Sequence, residues 1–204
     1  HVPIEPYLSD QWYVRVTDDR LCNEALRALS DEQYKGTAPI RHSGTRTGDG
    51  GMRFFPERYA HSYQAWHENL RDWCISRQLW WGHQIPVWVK SFPDGEEVSY
   101  PFEGESYITS SQEFDEGERV TNVYLCVQGG HEEVEQALEA DGFSRDEDVL
   151  DTWFSSWLWP FSTMGWPEKT EDLDYFLPTD LLVTAPGIIY LWVARMIMAT
   201  LEFQ

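Results

Sequence analysis

The run Trp73-Cys74-Ile75-Ser76-Arg77-Gln78-Leu79-Trp80-Trp81-Gly82-His83-Gln84-Ile85-Pro86 constrains this chain more than any other stretch. Two adjacent indoles meet a glycine, which lets backbone and ligand approach closely, and an apolar segment broken by proline follows. Aromatic surface of that size must be buried or must serve as the wall of something. Trp81 beside Gly82 suits a pocket wall, while core packing is the default for an indole considered alone. Asp148-Val149-Leu150-Asp151-Thr152-Trp153-Phe154-Ser155-Ser156-Trp157-Leu158-Trp159-Pro160 poses the same choice for Trp153. A third feature, Asp180-Leu181-Leu182-Val183-Thr184, leads into the apolar run Ile188 to Met198.

Patterning places these motifs on elements. Gln11 to Val16 reads as a strand, and Asp18 and Asp19 offer N-cap oxygens to a helix with Leu21, Ala25, Leu26 and Leu29 on one face. Residues 36–51, rich in Gly, Thr, Arg and Ser, read as a surface loop. Met52 to Pro56 is expected as a short strand. Tyr59 to Trp73 is expected as a helix with Tyr63, Trp66, Leu70 and Trp73 on its apolar face. Strands at Ile75 to Gln78 and Ile85 to Val89, and a turn at Pro93-Asp94-Gly95, come next. The acidic stretch 90–147 reads as a small α+β subdomain, with strands near Tyr107 to Thr109 and Val120 to Val127 and a helix His131 to Ala140 ended by Asp141-Gly142. From Asp148 the chain reads as tryptophan-rich loop and strand. Leu181 to Thr184 then has the composition of a buried strand that feeds a helix from Gly187 to Leu201, as in the βα unit of a parallel sheet.

Composition narrows the function classes. The net charge of −20 opposes a general phosphate-binding surface, so strong nonspecific nucleic-acid binding is not expected. Cys22, Cys74 and Cys126 are odd in number and lack Cys-x-x-Cys spacing, which supports neither a disulfide framework nor a zinc ribbon and fits a reducing cytoplasm. The run Ile188 to Leu201 contains Arg195 and reads as too short for a bilayer, so no membrane partner is expected. His1-Val2-Pro3 reads as a cut inside a longer protein.

Taken in order, the three motifs resemble the catalytic core of the class I valyl-tRNA synthetase family. The resemblance implies an α/β fold, part of a Rossmann-like nucleotide-binding fold with a small inserted α+β subdomain. It divides the chain into a connector from the editing domain (1–17), a first part of the catalytic core (18–89), a zinc-less acidic insert (90–147) and a second part of the core (148–204). It also implies valine, ATP with Mg2+, and tRNA(Val) as ligands of the whole enzyme, which forms valyl-adenylate and transfers the acyl group to the tRNA.

By the same resemblance, the Ile-Ser-Arg-Gln-x-x-Trp-Gly and Asp-x-Trp-Phe segments supply the two indoles that sandwich the branched side chain, here Trp81 and Trp153. Such a pocket separates substrates differing by one methylene by only about 1–3 kcal/mol, which is why the family carries a separate editing domain, expected upstream of Ile4. Thr184, Ala185 and Gly187 fall where the family binds ribose and adenine. Ala185 and Gly187 stand where most relatives have Gly and Asp, so a carboxylate for the ribose hydroxyls is missing and backbone groups must serve. The His-Ile-Gly-His and Lys-Met-Ser-Lys-Ser segments are not among these residues, so no catalytic residue is assigned and the chain alone is expected to be inactive. Only Cys126 and His131 suit zinc in the acidic insert, too few for a tetrahedral site. The competing reading is a tryptophan-rich glycan-binding module, which requires solvent-facing indoles on a β-sandwich.

Overall fold

The computed structural model describes residues 9–33, 50–98, 107–115, 118–127 and 131–204; the expected surface loop at 36–51 lies almost wholly outside them. The chain clusters into two compact units, Ser76–Leu150 and the combination of His1–Ile75 with Asp151–Gln204.

In the discontinuous unit, β1 (Tyr13–Val14) pairs antiparallel with β2 (Trp73–Cys74). Helix α1 (Cys22–Arg27) forms where periodicity places it, and Leu21, Ala25, Leu26 and Leu29 are buried. The two aspartates do not cap it through their side chains. Asp18 instead builds the turn before the helix, its carbonyl accepting from Leu21 N–H at 3.0 Å and Cys22 N–H at 2.9 Å. Helix α2 (Arg58–Glu68) stops at Asn69, so Trp73 belongs to β2 and not to the helix. Leu70 and Trp73 imitate helical spacing, but ladder bonds to β1 outweigh a further turn.

Met52 makes only an isolated parallel bridge with Leu29, where a short strand is expected. Gln33 replaces the missing strand partner: its side-chain amide donates to the Phe54 carbonyl at 3.0 Å and accepts from Phe54 N–H at 2.7 Å. This gives the half-buried Phe54 backbone the two hydrogen bonds that a neighbouring strand would have supplied. The Asp148–Pro160 region is also more helical than expected, holding α4 (Thr152–Ser156) and α5 (Trp159–Ser162), with Pro160 in the first turn of α5. Helix α6 is Glu171–Phe176, capped by the Thr170 hydroxyl.

Leu181 to Thr184 is not a strand. Leu181 and Val183 are exposed, and the segment joins no ladder among the described residues. Strand composition becomes a strand only where another segment supplies the hydrogen bonds. The parallel βα unit is therefore not formed among these residues, whose ladders are all antiparallel. The helix that follows is not uniform either. It opens as a 3-10 turn (Pro186–Ile188), widens into a π turn (Ile189–Val193) and continues as α7 (Ala194–Phe203). By length and composition this run of 18 residues could cross a membrane, contrary to the expectation from sequence. Its buried residues Ile189, Val193, Ala194, Met196, Met198 and Ala199, and its packing on α1, α2 and α5, are those of a core helix.

The continuous unit starts with β3 (Ser76–Arg77), which pairs with β8 (Val149–Leu150). Its main sheet is antiparallel in the order β5 (Tyr107–Asp115), β6 (Glu118–Cys126), β4 (Val87–Pro93), β7 (Ser144–Arg145). Helix α3 (Glu132–Ala140) supplies Leu138 to a core with Trp88, Phe92, Val123, Leu125, Val127 and Phe143. Glu132, Glu133 and Glu135 lie in its first turn, where carboxylates complement the helix dipole. Gly142 (φ +89) ends it in a left-handed conformation that favours glycine. Lys90 ties the helix end to the sheet, donating to the Asp141 carbonyl at 2.7 Å with its ammonium 4.9 Å from the Phe92 ring centre.

His67 is the buried imidazole of α2. Its Nδ1 lies 2.9 Å from the Tyr63 carbonyl, its Nε2 has no protein hydrogen-bond partner, and burial pushes its pKa down to about 4. The unfolded chain, with an ordinary value of 6.5, binds the proton more readily below that pH. This contribution to stability is therefore complete above pH 6.5 and is lost as pH falls to about 4, with a magnitude of about 3 kcal/mol. Urea melts from pH 7 to pH 4 should show this loss, and His67→Leu should flatten it. An equal slope in the variant would rule out His67 as the source.

Candidate functional site

Trp81 lies on the turn between β3 and β4 with its side chain 88% exposed, beside the fully exposed Trp80 and Leu79 at 60%. Core packing is therefore not what this indole does within its unit. A Cβ on Gly82 would sit 2.9 Å from Cγ2 of Val149, so the glycine is required by close approach to β8. The turn is held by Leu150 N–H donating to the His83 carbonyl at 2.7 Å and by the Gln78 side-chain amide donating to the Asp148 carboxylate at 2.7 Å. From sequence this glycine is expected to permit a close approach of ligand to chain; the close approach in the structure is that of a valine side chain on the neighbouring strand.

Trp153 lies in the first turn of α4, half-buried, and belongs to the other unit. Asp151 caps that helix by accepting from Trp153 N–H at 2.7 Å, and its own N–H donates to the Ile75 carbonyl at 2.7 Å. On the inner side of α4, Phe154 and Trp157 meet the edge-on ring of Trp73 at 5.7 and 5.6 Å. The Arg195 guanidinium covers Trp73 at 3.8 Å while donating to the Leu191 carbonyl at 2.9 Å. This cation over a desolvated indole explains how an arginine is accommodated in the apolar run.

Thr184, Ala185 and Gly187 form the entry to the helical run. Thr184 is half-buried, Ala185 and Gly187 are exposed, and nothing lies within 4 Å of a Cβ placed on Gly187. The segment is thus open to a ligand. The π turn just beyond it, a feature often found at functional sites, turns the Trp192 indole N–H onto the Ser156 carbonyl at 3.1 Å and so joins the end of α4. Sequence patterning singles out none of Asp151, Arg195 and Trp192 for a role at the site. An aspartate directly before Thr-Trp-Phe is an N-cap signal that could have been read; the pairing of Arg195 with Trp73, remote in sequence, could not.

Cys22, Cys74 and Cys126 are thiols, and among the described residues no three His, Cys, Asp or Glu side chains are placed to hold a metal. Burial pushes the Cys126 thiol up, away from the thiolate that zinc binds. The exposed indoles Trp80 and Trp81 stand on a turn, not on the sheet face that a glycan-binding sandwich requires.

A family model described as "tRNA synthetases class I (I, L, M and V)" matches residues 4–204. The chain belongs to this family of class I aminoacyl-tRNA synthetases, and its mixed helix and sheet content agrees with an α/β fold. Over its full length it is 43% identical to the valine–tRNA ligase of Treponema denticola and 41% identical to that of Chlorobaculum tepidum, covering 17% of each. It is 44% identical to the Thermotoga maritima valine–tRNA ligase over 98% of the chain and 18% of the relative. The chain thus spans less than a fifth of the length of these curated relatives. No solved structure matches it.

Proposed function

We propose that these residues are the part of a valine–tRNA ligase that supplies walls to the valine and adenosine sites within a Rossmann-like catalytic core. The observation that carries this is the 43% identity to a valine–tRNA ligase across the whole chain. Trp81 and Trp153 are the two indoles that sandwich the valine isopropyl group. Each is available for this within its own unit, one exposed on a turn and the other on a first helical turn.

The adenosine side is the open segment Thr184, Ala185 and Gly187. Without the carboxylate common in relatives, the Thr184 hydroxyl and backbone groups at the start of the helical run bind the ribose and adenine. ATP, bound with Mg2+, would supply the adenylyl group: the valine carboxylate attacks the α-phosphorus and pyrophosphate leaves. The chain's own residues contribute orientation of the substrate and exclusion of water, not proton transfer. tRNA(Val) is the acyl acceptor of the full enzyme, and a cytoplasmic location belongs to the same reading.

Specificity tests the proposal. In the full-length ligase that carries this chain, exchange of pyrophosphate into ATP should be driven by valine, with isoleucine and leucine far less effective. Exchange that prefers either of those larger side chains would overturn the assignment.

A further inference from the structure

Among the described residues, Asp151 is the only buried carboxylate. An ionised group is costly to bury unless hydrogen bonds compensate it, and here the buried carboxylate serves as the cap of a five-residue helix. What distinguishes Asp151 is its neighbour. Its Oδ1 accepts from the backbone N–H of Trp153 at 2.7 Å, and its own N–H donates at 2.7 Å to the carbonyl of Ile75, the residue after β2.

Trp153 is the second residue of α4. At that position no preceding helical turn exists to pack against the side chain, so the direction in which it leaves the backbone is set by the cap. The residues that follow Trp153 are held by ring contacts. Phe154 and Trp157 rest on Trp73, and Trp73 is in turn covered by Arg195.

We propose that Asp151 is a positioning residue for valine recognition: the carboxylate that caps α4 fixes the indole of Trp153 in the orientation that meets the substrate side chain. This rests on the reading of Trp153 as a wall of the valine site. Asp151 touches neither substrate nor nucleotide in this role, so its effect falls on valine and not on ATP.

The test uses the full-length ligase with the variants D151A, D151N and W153A, followed by valine-dependent pyrophosphate exchange. D151A should raise the valine KM by about tenfold, since a freed first turn lets the indole leave its place, with the ATP KM unmoved. D151N keeps an oxygen that accepts from Trp153 N–H and should restore most of the loss. A purely structural role would lower the amount of folded enzyme without separating the two KM values. Should D151A fail to fold, D151S replaces it, because its shorter hydroxyl caps the helix while holding it less closely; a raised valine KM with an unmoved ATP KM is again expected. If W153A raises the valine KM while the aspartate variants leave it unchanged, the positioning role is wrong. A D151N enzyme as impaired as D151A also overturns it, because the charge and not the cap would then matter. If W153A itself leaves the valine KM unchanged, the failure lies in the reading of the valine site.

Discussion

Trp153→Ala in the full-length ligase should raise the valine KM by about 5- to 30-fold while leaving the ATP KM near its original value, and Trp81→Ala should act in the same way. Full burial of a valine-sized side chain is worth about 1.5–3 kcal/mol, and loss of one of two walls forfeits about 1–2 kcal/mol of it. The two substitutions differ in their structural cost. Trp81 is 88% exposed within its unit, so its removal should leave the thermal midpoint unchanged. Trp153 is half-buried, and its removal is expected to lower the midpoint modestly. Measuring exchange kinetics and melts on the same preparations separates binding from folding. A valine KM untouched in both variants would eliminate the indole sandwich.

The second large effect concerns the 204 residues by themselves. The only lysines are Lys35, Lys90 and Lys169, and no His-Ile-Gly-His or Lys-Met-Ser-Lys-Ser segment is present. Of the three lysines, Lys90 is committed to the Asp141 carbonyl and to the aromatic pair beneath it. Charge developing at the α-phosphorus and on the departing pyrophosphate is stabilised by preorganised cations and donors, and removal of even one preorganised donor costs about 10²–10³ in rate. With both signatures missing, valine-dependent pyrophosphate exchange by the isolated chain should be at background. The intact ligase assayed in parallel should be active. Exchange by the isolated chain well above the no-valine control would show that phosphate-binding groups reside within these residues.

The contrast between Trp81 and Gly82 on one side and Leu181 to Thr184 on the other shows what kind of information lies in a sequence. The first is local: a glycine beside an indole permits a close approach to the backbone, read from sequence as that of a ligand. The structure shows a close approach of another kind there, with the Val149 side chain 2.9 Å from where a Cβ on Gly82 would stand. The second depends on a partner. The two leucines and the β-branched Val183 and Thr184 fit a strand, yet no ladder is offered to them among the described residues, and Leu181 and Val183 remain exposed.

Helix termini follow the same division. Periodicity places α1 and α3 well because their apolar faces repeat every three to four residues, and Asp141-Gly142 marks a real C-terminus. It overruns α2, because Trp73 keeps helical spacing while its backbone pairs with Val14. It also misses α4, a helix too short to show a repeat and specified by the Asp151 cap.

The sequence by itself determined the family, because motif order and residue identity are properties of the linear chain, and on the same basis it nominates Trp81 and Trp153 as walls, which the substitutions above test. Tertiary structure alone decided which groups distant in sequence meet. The pairing of Arg195 with Trp73, the Gln33 side chain that stands in for a strand beside Phe54, and the π turn that brings Trp192 to Ser156 each join residues distant in sequence. Such contacts depend on distance and direction in space, and no local propensity or spacing encodes them.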